Sequence, residues 1–595
     1  MKKGVWLGIL CCLLLFAGCN EGVVNDPNEW IPKSTPASEE NITAAPVLTE
    51  APLQTPDNTD EADNIDNSAV TVTKGTSLYT AEELYTALET PDGRVLSDML
   101  WENQKNSGIY QCTEKKLKDK NLLTYYISSS EGDDDNSGRT PEEPKKSLSV
   151  FSGASNINVM LKCGDTFSME DSFYVGNNVI LGAYGDGARP VLDFYRPLEV
   201  TWKKVKGEKN VWSADLSELK GLYNGTKNKS DCNIGHLIID GEANWKRLVL
   251  ENAEEQSYPE LLGNRKDGCF AVDWTQSILY LFSKTNPNSL QISYALPQHG
   301  LTVQNVSGAE VLGLEIKGAG FHGISLSHAT DITISGCYIH HIGGALLKDR
   351  GPRYGNAVEL WDSGSRLSVT YNMAEWIYDT CYTNQGNTSN MTQRDLLFSN
   401  NLGRFSFWGI ETWGDGASVN EFSNIVYEDN LLMYACDITN PEAAVYVNEG
   451  EQTMDAEGAF YSEYPAYVTY RGDASSYPYN QMSLLNAANA RKKEALTIRD
   501  NVFWGTKRLL TLLKLAKNQE LCFDLQDNLF YADIPEAACV FRYTHTDNSR
   551  TFTKVLGVAS NQTVLQVTGE EIPELFEQAE EAVKEKLYAI ATASE

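Results

Sequence analysis

Two glutamates in similar segments are the residues of this sequence best suited to acid–base chemistry. Glu359 lies in AVELWD and Glu411 in GIETWG, at matching positions of two short β-like stretches. If these stretches are strands two coils apart in a stack spaced by about 4.8 Å, their backbones are separated by roughly 9–10 Å. Flexible side chains can then place the carboxyls about 6.5–9.5 Å apart, where one acid protonates a leaving glycosidic oxygen and the other activates water. Asp362 and Asp379 complete the candidate catalytic carboxylates.

A second set of residues near these carboxylates is suited to holding a sugar. Indole faces stack on sugar rings, and amide side chains hydrogen-bond sugar hydroxyls. Asp379 is also a candidate for capping the turn before its strand, and the aromatic residues are equally suited to packing under a loop. The candidate substrate-binding residues are Tyr382, Trp361, Trp413, Asn384, Gln385, Tyr446, Asn448, Arg353, Tyr354 and His341.

The elements that must position these residues recur along the chain. GISLSH, AVELWD, TCYTNQ, GIETWG and AVYVNE align so that their second and fourth residues form a mostly apolar, inward face. In this alignment the outward row reads Ser325, Glu359, Tyr382, Glu411 and Tyr446. A second series ends each strand with Asn, at Asn372, Asn401, Asn430, Asn501 and Asn528, while Cys337 takes the Asn position in TISGC. Recurring strands with Asn at a fixed bend predict stacked coils whose amides hydrogen-bond along the axis.

These features resemble a known architecture. The region from about 125 to 535 resembles the right-handed parallel β-helix proteins of the pectate-lyase-like superfamily. Its opening, GDDDNSGRTPEEPKKSL, is similar to the capping segment of secreted members at Asp135, Asn136 and Gly138, but differs at Ser137 and Arg139. The resemblance implies an all-β fold, namely a right-handed parallel β-helix solenoid with a small β-rich insert, an N-terminal helical lead-in and a C-terminal helical cap.

The two ends of the chain differ from its middle in residue composition and pattern. A basic start and a short apolar run indicate a signal peptide, and LLFAGC resembles a bacterial lipobox with Cys19 as the lipid-bearing residue. This predicts a protein anchored by lipid on the extracellular face of a bacterial membrane. The expected parts are a lipoprotein signal peptide (1–19), a disordered acidic tether (20–75), a helical lead-in (76–122), the β-helix (123–540, with an insert at about 200–300) and a C-terminal segment with a capping helix (541–595).

Composition limits the partners. The chain has 595 residues with 49 Lys and Arg against 81 Asp and Glu, a formal net charge of −32. Nucleic-acid binding is disfavoured because it requires a basic surface. We expect a monomer that binds a polysaccharide substrate and contacts the membrane only through the lipid on Cys19. Of twelve cysteines, nine follow residue 19, an odd number that favours buried free thiols, as at Cys163, Cys337 and Cys381, over a disulfide framework.

Three functions fit these residues. Paired-carboxylate glycoside hydrolysis of an extracellular polysaccharide requires Glu359 and Glu411 and no cofactor. A polysaccharide lyase needs a Lys or Arg base beside a uronate, usually with calcium. The outward row lacks such a base, although Arg353 lies on a nearby loop and Asp362, Asp379 and Glu359 are candidate calcium ligands. A non-catalytic, glycan-binding adhesive protein is the third possibility, because this scaffold hosts unrelated functions.

Overall fold

The computed structural model describes most of the region between residues 77 and 592. The described residues are 77–90, 93–110, 117, 121–219, 233–248, 257–263, 267–273, 276–346, 353–386, 390–414, 421–433, 482–486, 496–504, 511–515, 523–532, 541–547, 550–556, 563–566 and 573–592. The predicted signal peptide with Cys19, the acidic tether, Tyr446 and Asn448 lie outside them, as do the side chains of Arg353 and Trp413.

The described chain is mostly β-strand, arranged in coils before and after an insert. The first coils contain β1 (Leu123–Ile127), β2 (Ile157–Lys162), β3 (Thr166–Ser168), β4 (Phe173–Tyr174), β5 (Val179–Tyr184) and β6 (Val191–Asp193). The insert contains β7 (Tyr195–Pro197), β8 (Lys203–Lys204), β9 (Val211–Asp215), β10 (Leu237–Ile239), β11 (Glu242–Asn244), β12 (Arg247–Leu248), β13 (Phe270–Asp273), β14 (Ile278–Phe282) and β15 (Ile292–Ala295).

The later coils supply the remaining strands. The first group is β16 (Leu301–Gln304), β17 (Glu310–Leu312), β18 (Glu315–Lys317), β19 (Ile324–Ser327), β20 (Ala329–Ser335), β21 (Tyr338–Ile342), β22 (Ala345–Leu346), β23 (Arg353–Tyr354), β24 (Val358–Trp361), β25 (Gly364–Thr370), β26 (Met373–Gly386), β27 (Thr392–Ser399) and β28 (Leu402–Gly414). The second group is β29 (Glu421–Glu428), β30 (Leu431–Met433), β31 (Met482–Asn486), β32 (Leu496–Arg499), β33 (Val502–Trp504), β34 (Thr511–Leu515), β35 (Phe523–Gln526), β36 (Leu529–Ala532), β37 (Phe541–Asp547), β38 (Arg550–Leu556) and β39 (Thr563–Gln566).

The strands of the coils form three sheets, and within each sheet neighbouring strands run parallel. Sheet 1 contains β4, β16, β19, β24, the second halves of β26 and β28, β31, β34 and β37. Sheet 2 contains β1, β2, β5, β17, β20, β25, β27, β29, β32 and β35. Sheet 3 contains β3, β6, β18, β21, the first halves of β26 and β28, β30, β33, β36 and β39. The predicted parallel β-helix is therefore confirmed.

A continuous apolar core fills the inside of the coils. Side chains such as Ile324, Leu326, Val358, Leu360 and Ile410 are almost completely buried there. These were predicted as inward-facing, and burial of such aliphatic side chains is the main favourable contribution to folding. Cys163, Cys337 and Cys381 are buried free thiols, also as predicted.

Asparagines close the corner between sheets 2 and 3. The Oδ1 atoms of Asn401, Asn430, Asn501 and Asn528 accept the backbone N–H of the equivalent residue one coil earlier, at 3.0 to 3.1 Å. The series starts at the Cys337 N–H, which donates to Asn372 Oδ1. Backbone donors at a buried bend are thereby satisfied.

The insert predicted at about 200–300 corresponds to β7–β15 and a short helix, α3 (Tyr258–Gly263). It has one sheet in the order β11-β10-β15-β7 and another in the order β12-β13-β14-β9-β8. Its strands pair mainly antiparallel, so it differs from the coils on either side.

The α-helices in the described part of the chain are α1 (Ala81–Leu88), α2 (Gly93–Ser107), α3 (Tyr258–Gly263) and α4 (Pro573–Thr592). Thr80 caps α1 in a capping box with Glu83. The apolar side of α4 packs with α1, α2 and the outer side of sheet 3. The structure therefore places α4 along the side of the solenoid, and not over its end as predicted. None of the described helices is long and apolar enough to cross a membrane.

Candidate active site

Equivalent residues of successive coils form a column at the start of sheet 1. Leu301, Ile324, Val358, Tyr382 and Ile410 are paired in register on neighbouring strands. The residues two positions earlier therefore stack at the corner between sheets 3 and 1, and they are His299, His322, Asn356, Thr380 and Trp408.

Side chains of this column hydrogen-bond from coil to coil. His299 Nδ1 accepts the His322 backbone N–H at 3.3 Å, and His322 Nδ1 accepts the Asn356 N–H at 2.9 Å. Asn356 Oδ1 in turn accepts the Thr380 N–H at 2.8 Å. We call this column the corner ladder. It satisfies backbone donors at the bend and fixes the side chains that carry the acceptors.

Glu359 lies on the outward side of β24 with both carboxylate oxygens engaged. Its Oε2 is 2.5 Å from His322 Nε2, and its Oε1 accepts from Asn356 Nδ2 at 3.2 Å. Glu359 is only 4% exposed to solvent. Two ladder residues therefore hold this carboxylate in one orientation.

Asp379 and Glu411 meet at the hydroxyl of Thr380. Thr380 Oγ1 is 3.2 Å from Glu411 Oε2 and 3.5 Å from Asp379 Oδ1. A single hydroxyl proton can be donated to only one of these carboxylates, so the second contact favours a protonated carboxyl that donates to Oγ1. A register shift in β26 between Ile377 and Thr380 bends the chain here and brings Asp379 to the corner.

The environment of this pair favours retention of a proton. Burial is the main cause that raises the pKa of Asp379 to about 7, and the charge of Glu359 adds to it. Burial and then the charge of Asp379 raise the pKa of Glu411 well above its usual range. At neutral pH the pair therefore holds a proton that a hydrogen-bonded surface carboxylate would have lost.

The predicted spacing of Glu359 and Glu411 agrees with the strand register. Glu359 pairs with Thr383, and Thr383 pairs with Glu411. The two glutamates are therefore two strands apart on one face, about 9–10 Å at the backbone. Glu411 is 8% exposed and Asp379 is half-buried, so Asp379 is the most accessible of the three carboxyls.

The sequence alignment was wrong by one residue at TCYTNQ. Tyr382 and Asn384 were predicted to face outward, but both point into the core. The Tyr382 hydroxyl donates to the backbone oxygens of Asn372 and Leu402. The Asn384 Nδ2 donates to Gln393 Oε1, and its Oδ1 accepts from the Tyr427 hydroxyl. The bend in β26 is the physical cause, because it lengthens the strand before its pairing with β24.

Thr383 takes the outward position between the two glutamates. It is fully buried, and its hydroxyl has no hydrogen-bond partner in the described part of the chain. In the next outward row, Gln385 replaces Asn384 between Trp361 and Trp413. Trp361 is half-buried on the same face as Glu359.

Two other predicted residues lie away from the carboxyl cluster. Asp362 follows the far end of β24, where its Oδ2 faces His328 Nε2 at 3.8 Å, so it is not one of the carboxyls that meet at the corner. His341 lies against His340, with 2.7 Å between their Nδ1 atoms, and stacks on Trp376. Its contacts thus belong to a separate aromatic cluster and not to the predicted substrate face.

Tyr354 does reach the cluster. Its ring packs edge-on against His322, with 4.9 Å between centroids, and also contacts Phe321. Burial, together with the charge of Glu359, raises the pKa of Tyr354 well above its usual range. The phenol is therefore neutral beside the carboxylates.

Sequence reasoning missed His299, His322, Asn356 and Thr380. One signal was present, because Gln298-His299-Gly300 and Phe321-His322-Gly323 repeat a His-Gly pair just before two aligned strands. The other two missed residues, Asn356 and Thr380, are of different residue types, so no repeated letter marks them. Among the described residues, no group of three His, Cys, Asp or Glu side chains is arranged to hold a metal ion.

Fold and site together define a parallel β-helix protein with a buried carboxyl–histidine cluster at one corner. No family model matches the chain, and no curated protein matches its sequence. Among solved structures, XylC in complex with xylose is similar at 9% identity and a TM-score of 0.35, with 76% of each chain covered. Pectate lyase Pel9A is similar at 12% identity and a TM-score of 0.33, covering 74% of this chain and 78% of its own.

A glycosidase is also among these structures. The lacto-N-biosidase of Eubacterium ramulus from family GH136 is similar at 12% identity and a TM-score of 0.30, covering 76% of this chain and 68% of its own. At such identities the similarity concerns the fold alone. The chemistry must therefore be argued from the cluster itself.

Proposed function

We propose that this protein is a carbohydrate-active enzyme that hydrolyses a glycosidic bond in an extracellular polysaccharide. The observation that carries the proposal is the contrast within one cluster. Asp379 and Glu411 share the Thr380 hydroxyl and have raised pKa values, whereas Glu359 receives hydrogen bonds on both oxygens. Carboxyl groups whose environments separate their protonation states are what acid–base hydrolysis of a glycoside requires.

The roles follow from accessibility and protonation. Asp379 is the carboxyl with the greatest exposure and sits in the pair that retains a proton, so it donates to the leaving oxygen with Glu411 as its buried partner. Glu359 acts as the ionised group, either activating water or attacking the sugar. Trp361, on the face of Glu359, offers an apolar surface for a sugar ring.

The test is cleavage of a polysaccharide panel by the secreted body of the protein. Xylan, polygalacturonate, rhamnogalacturonan and galactan are incubated with wild type, Glu411→Gln and Asp331→Asn, the last an exposed control on sheet 2. We expect new reducing ends with wild type and the control, and at least a 100-fold loss with Glu411→Gln. Unsaturated products would instead indicate elimination, and full activity of Glu411→Gln would remove the pair from the mechanism.

The proposal includes the location of the protein. The lipobox-like LLFAGC supports a lipid on Cys19 and attachment to the outer face of a bacterial membrane, and this segment lies outside the described residues. Labelled palmitate should be incorporated by wild type and not by Cys19→Ser. Equal labelling of both would remove the anchor from the proposal.

A further inference from the structure

We infer that His322 is a positioning residue that holds Glu359 ionised and aimed, and that the corner ladder imposes the neutral, Nε2-protonated form of this histidine. The inference rests on the proposed function and adds a division of roles within it. His322 does not need to touch the substrate, because it acts through Glu359.

The ladder decides where the imidazole proton sits. The Asn356 backbone N–H points at His322 Nδ1 from 2.9 Å, so Nδ1 must offer its lone pair. The proton of the neutral ring is then on Nε2, 2.5 Å from Glu359 Oε2. A doubly protonated ring would place two N–H groups against each other across the 2.9 Å contact. The backbone of the next coil therefore opposes a cationic His322.

Neighbouring rings fix the orientation of the imidazole. His299 stacks on His322 with centroids 5.0 Å apart and planes 5° from parallel, while Tyr354 packs against it edge-on. Burial lowers the pKa of His299 well below its usual range, so the ring stacked on His322 carries no charge. The titratable groups that face His322 are thus Glu359, Asp379, His299 and Tyr354.

The consequence is a division of labour among the three carboxyls. Glu359 accepts one hydrogen bond from a histidine and one from an amide, and donors directed at a carboxylate favour its ionised form. The Asp379–Glu411 pair has only the Thr380 hydroxyl between its members. The geometry thus makes Glu359 the base or nucleophile and leaves the proton with the pair.

Two substitutions separate the ladder contact from the Glu359 contact. In His322→Asn, the short amide can accept the Asn356 N–H as Asn356 itself accepts from Thr380, but it cannot reach Glu359. In His322→Gln, the longer amide can donate to Glu359 but places no acceptor at the Nδ1 position. A structural role alone would make His322→Gln the more damaging change, whereas a positioning role makes His322→Asn the more damaging one for turnover.

We expect His322→Asn to keep a melting temperature close to wild type while its kcat falls about 100-fold with little change in KM, on whichever panel polymer wild type cleaves fastest. The acid limb of its kcat profile should move to higher pH, because Glu359 loses a donor. His322→Gln should recover at least a tenth of wild-type kcat. Wild-type kcat and pH profile in His322→Asn would overturn the inference.

A spectroscopic measurement tests the tautomer without any substrate. In ¹⁵N-histidine-labelled wild type at pH 7, with His322 assigned by difference from His322→Asn, we expect an unprotonated Nδ1 and a protonated Nε2. A His322 protonated at Nδ1 would overturn the inference even if hydrolysis is found. If Glu411→Gln kept full hydrolytic activity while wild type showed this NMR signature, the result would contradict the proposed function and not the tautomer of His322.

Discussion

At the residue scale, Thr380 is the centre of an arrangement that costs stability. Its hydroxyl lies between two carboxyls that cannot both be ionised at low cost in a buried corner. Burial raises the pKa of Asp379 to about 7 and that of Glu411 well above its usual range. Such a cluster is expected where function, rather than stability, selects the residues.

This arrangement predicts that Glu411→Gln stabilises the protein at alkaline pH. The folded pKa values of Asp379 and Glu411 lie above their unfolded values, so the folded state binds more protons and loses stability as pH rises above about 4, through about 7 for Asp379. Glutamine removes that loss, which should amount to at least about 1 kcal/mol at pH 8 and vanish near pH 4. Thermal unfolding of wild type and Glu411→Gln at both pH values measures it, with Asp331→Asn as the exposed control. A lower melting temperature for Glu411→Gln at pH 8 would contradict the prediction.

The residue types of the cluster could be predicted more readily than its geometry. Glu359 and Glu411 share a sequence context, and Asp379 precedes an aligned strand, so all three could be selected from the sequence. Their protonation states depend on burial and on Thr380, which no motif marks. Tyr382 and Asn384 were misplaced because a bend inside a strand leaves no trace in an alternating pattern.

At the element scale, two ladders of different composition hold the corners of the coils. The Asn ladder could be predicted because one residue type recurs, with Asn372, Asn401 and Asn430 each 29 residues apart. The corner ladder could not, because His, Asn and Thr supply the same acceptor or donor positions with different side chains. Side chains thus satisfy backbone N–H groups at both corners, but only the corner built from Asn shows a repeated residue type in the sequence.

The Asn ladder predicts a large cost for Asn401→Ala. Asn401 Oδ1 accepts from the N–H and the Nδ2 of Asn372, and its own Nδ2 donates to Val369 O at 2.8 Å and to Asn430 Oδ1 at 3.0 Å. Alanine leaves several buried groups unpaired, so we expect a loss of about 2–4 kcal/mol in the free energy of unfolding. Urea denaturation measures this loss.

Asn177→Ala is the matched control. Asn177 Oδ1 also accepts a backbone N–H from a neighbouring coil, that of Ser307 at 2.8 Å, but the contact is exposed. Water can replace it, so we expect a loss below about 1 kcal/mol. Equal losses in the two variants would show that burial of the ladder adds nothing.

At the scale of the whole molecule, helices from opposite ends of the chain share one face of the solenoid. The Arg404 side chain, fully buried on sheet 3, donates to Glu375 Oε2 and to the backbone oxygen of Leu88, each at 2.7 Å. Gln104 of α2 donates to the Ile590 backbone oxygen of α4 at 3.1 Å. Amphipathic patterning could predict these helices, but not which of three outer faces they cover, because the partners are hundreds of residues away.

Arg404 therefore links the helices to the coils, and we expect Arg404→Met to cost about 3–5 kcal/mol by leaving the Glu375 charge buried and unpaired. Hydrogen exchange should accelerate first in α1, α2 and α4, since these elements depend on that face.

Arg366→Ala, which breaks a half-exposed pair with Asp331 on sheet 2, should cost less than about 1 kcal/mol and leave helix exchange unchanged. Adding Glu375→Gln to Arg404→Met should restore much of the loss, because the stranded charge, rather than the missing ion pair, is its main cause. Uniform acceleration across all coils, or no recovery in the double variant, would show that helix docking does not depend on this buried pair.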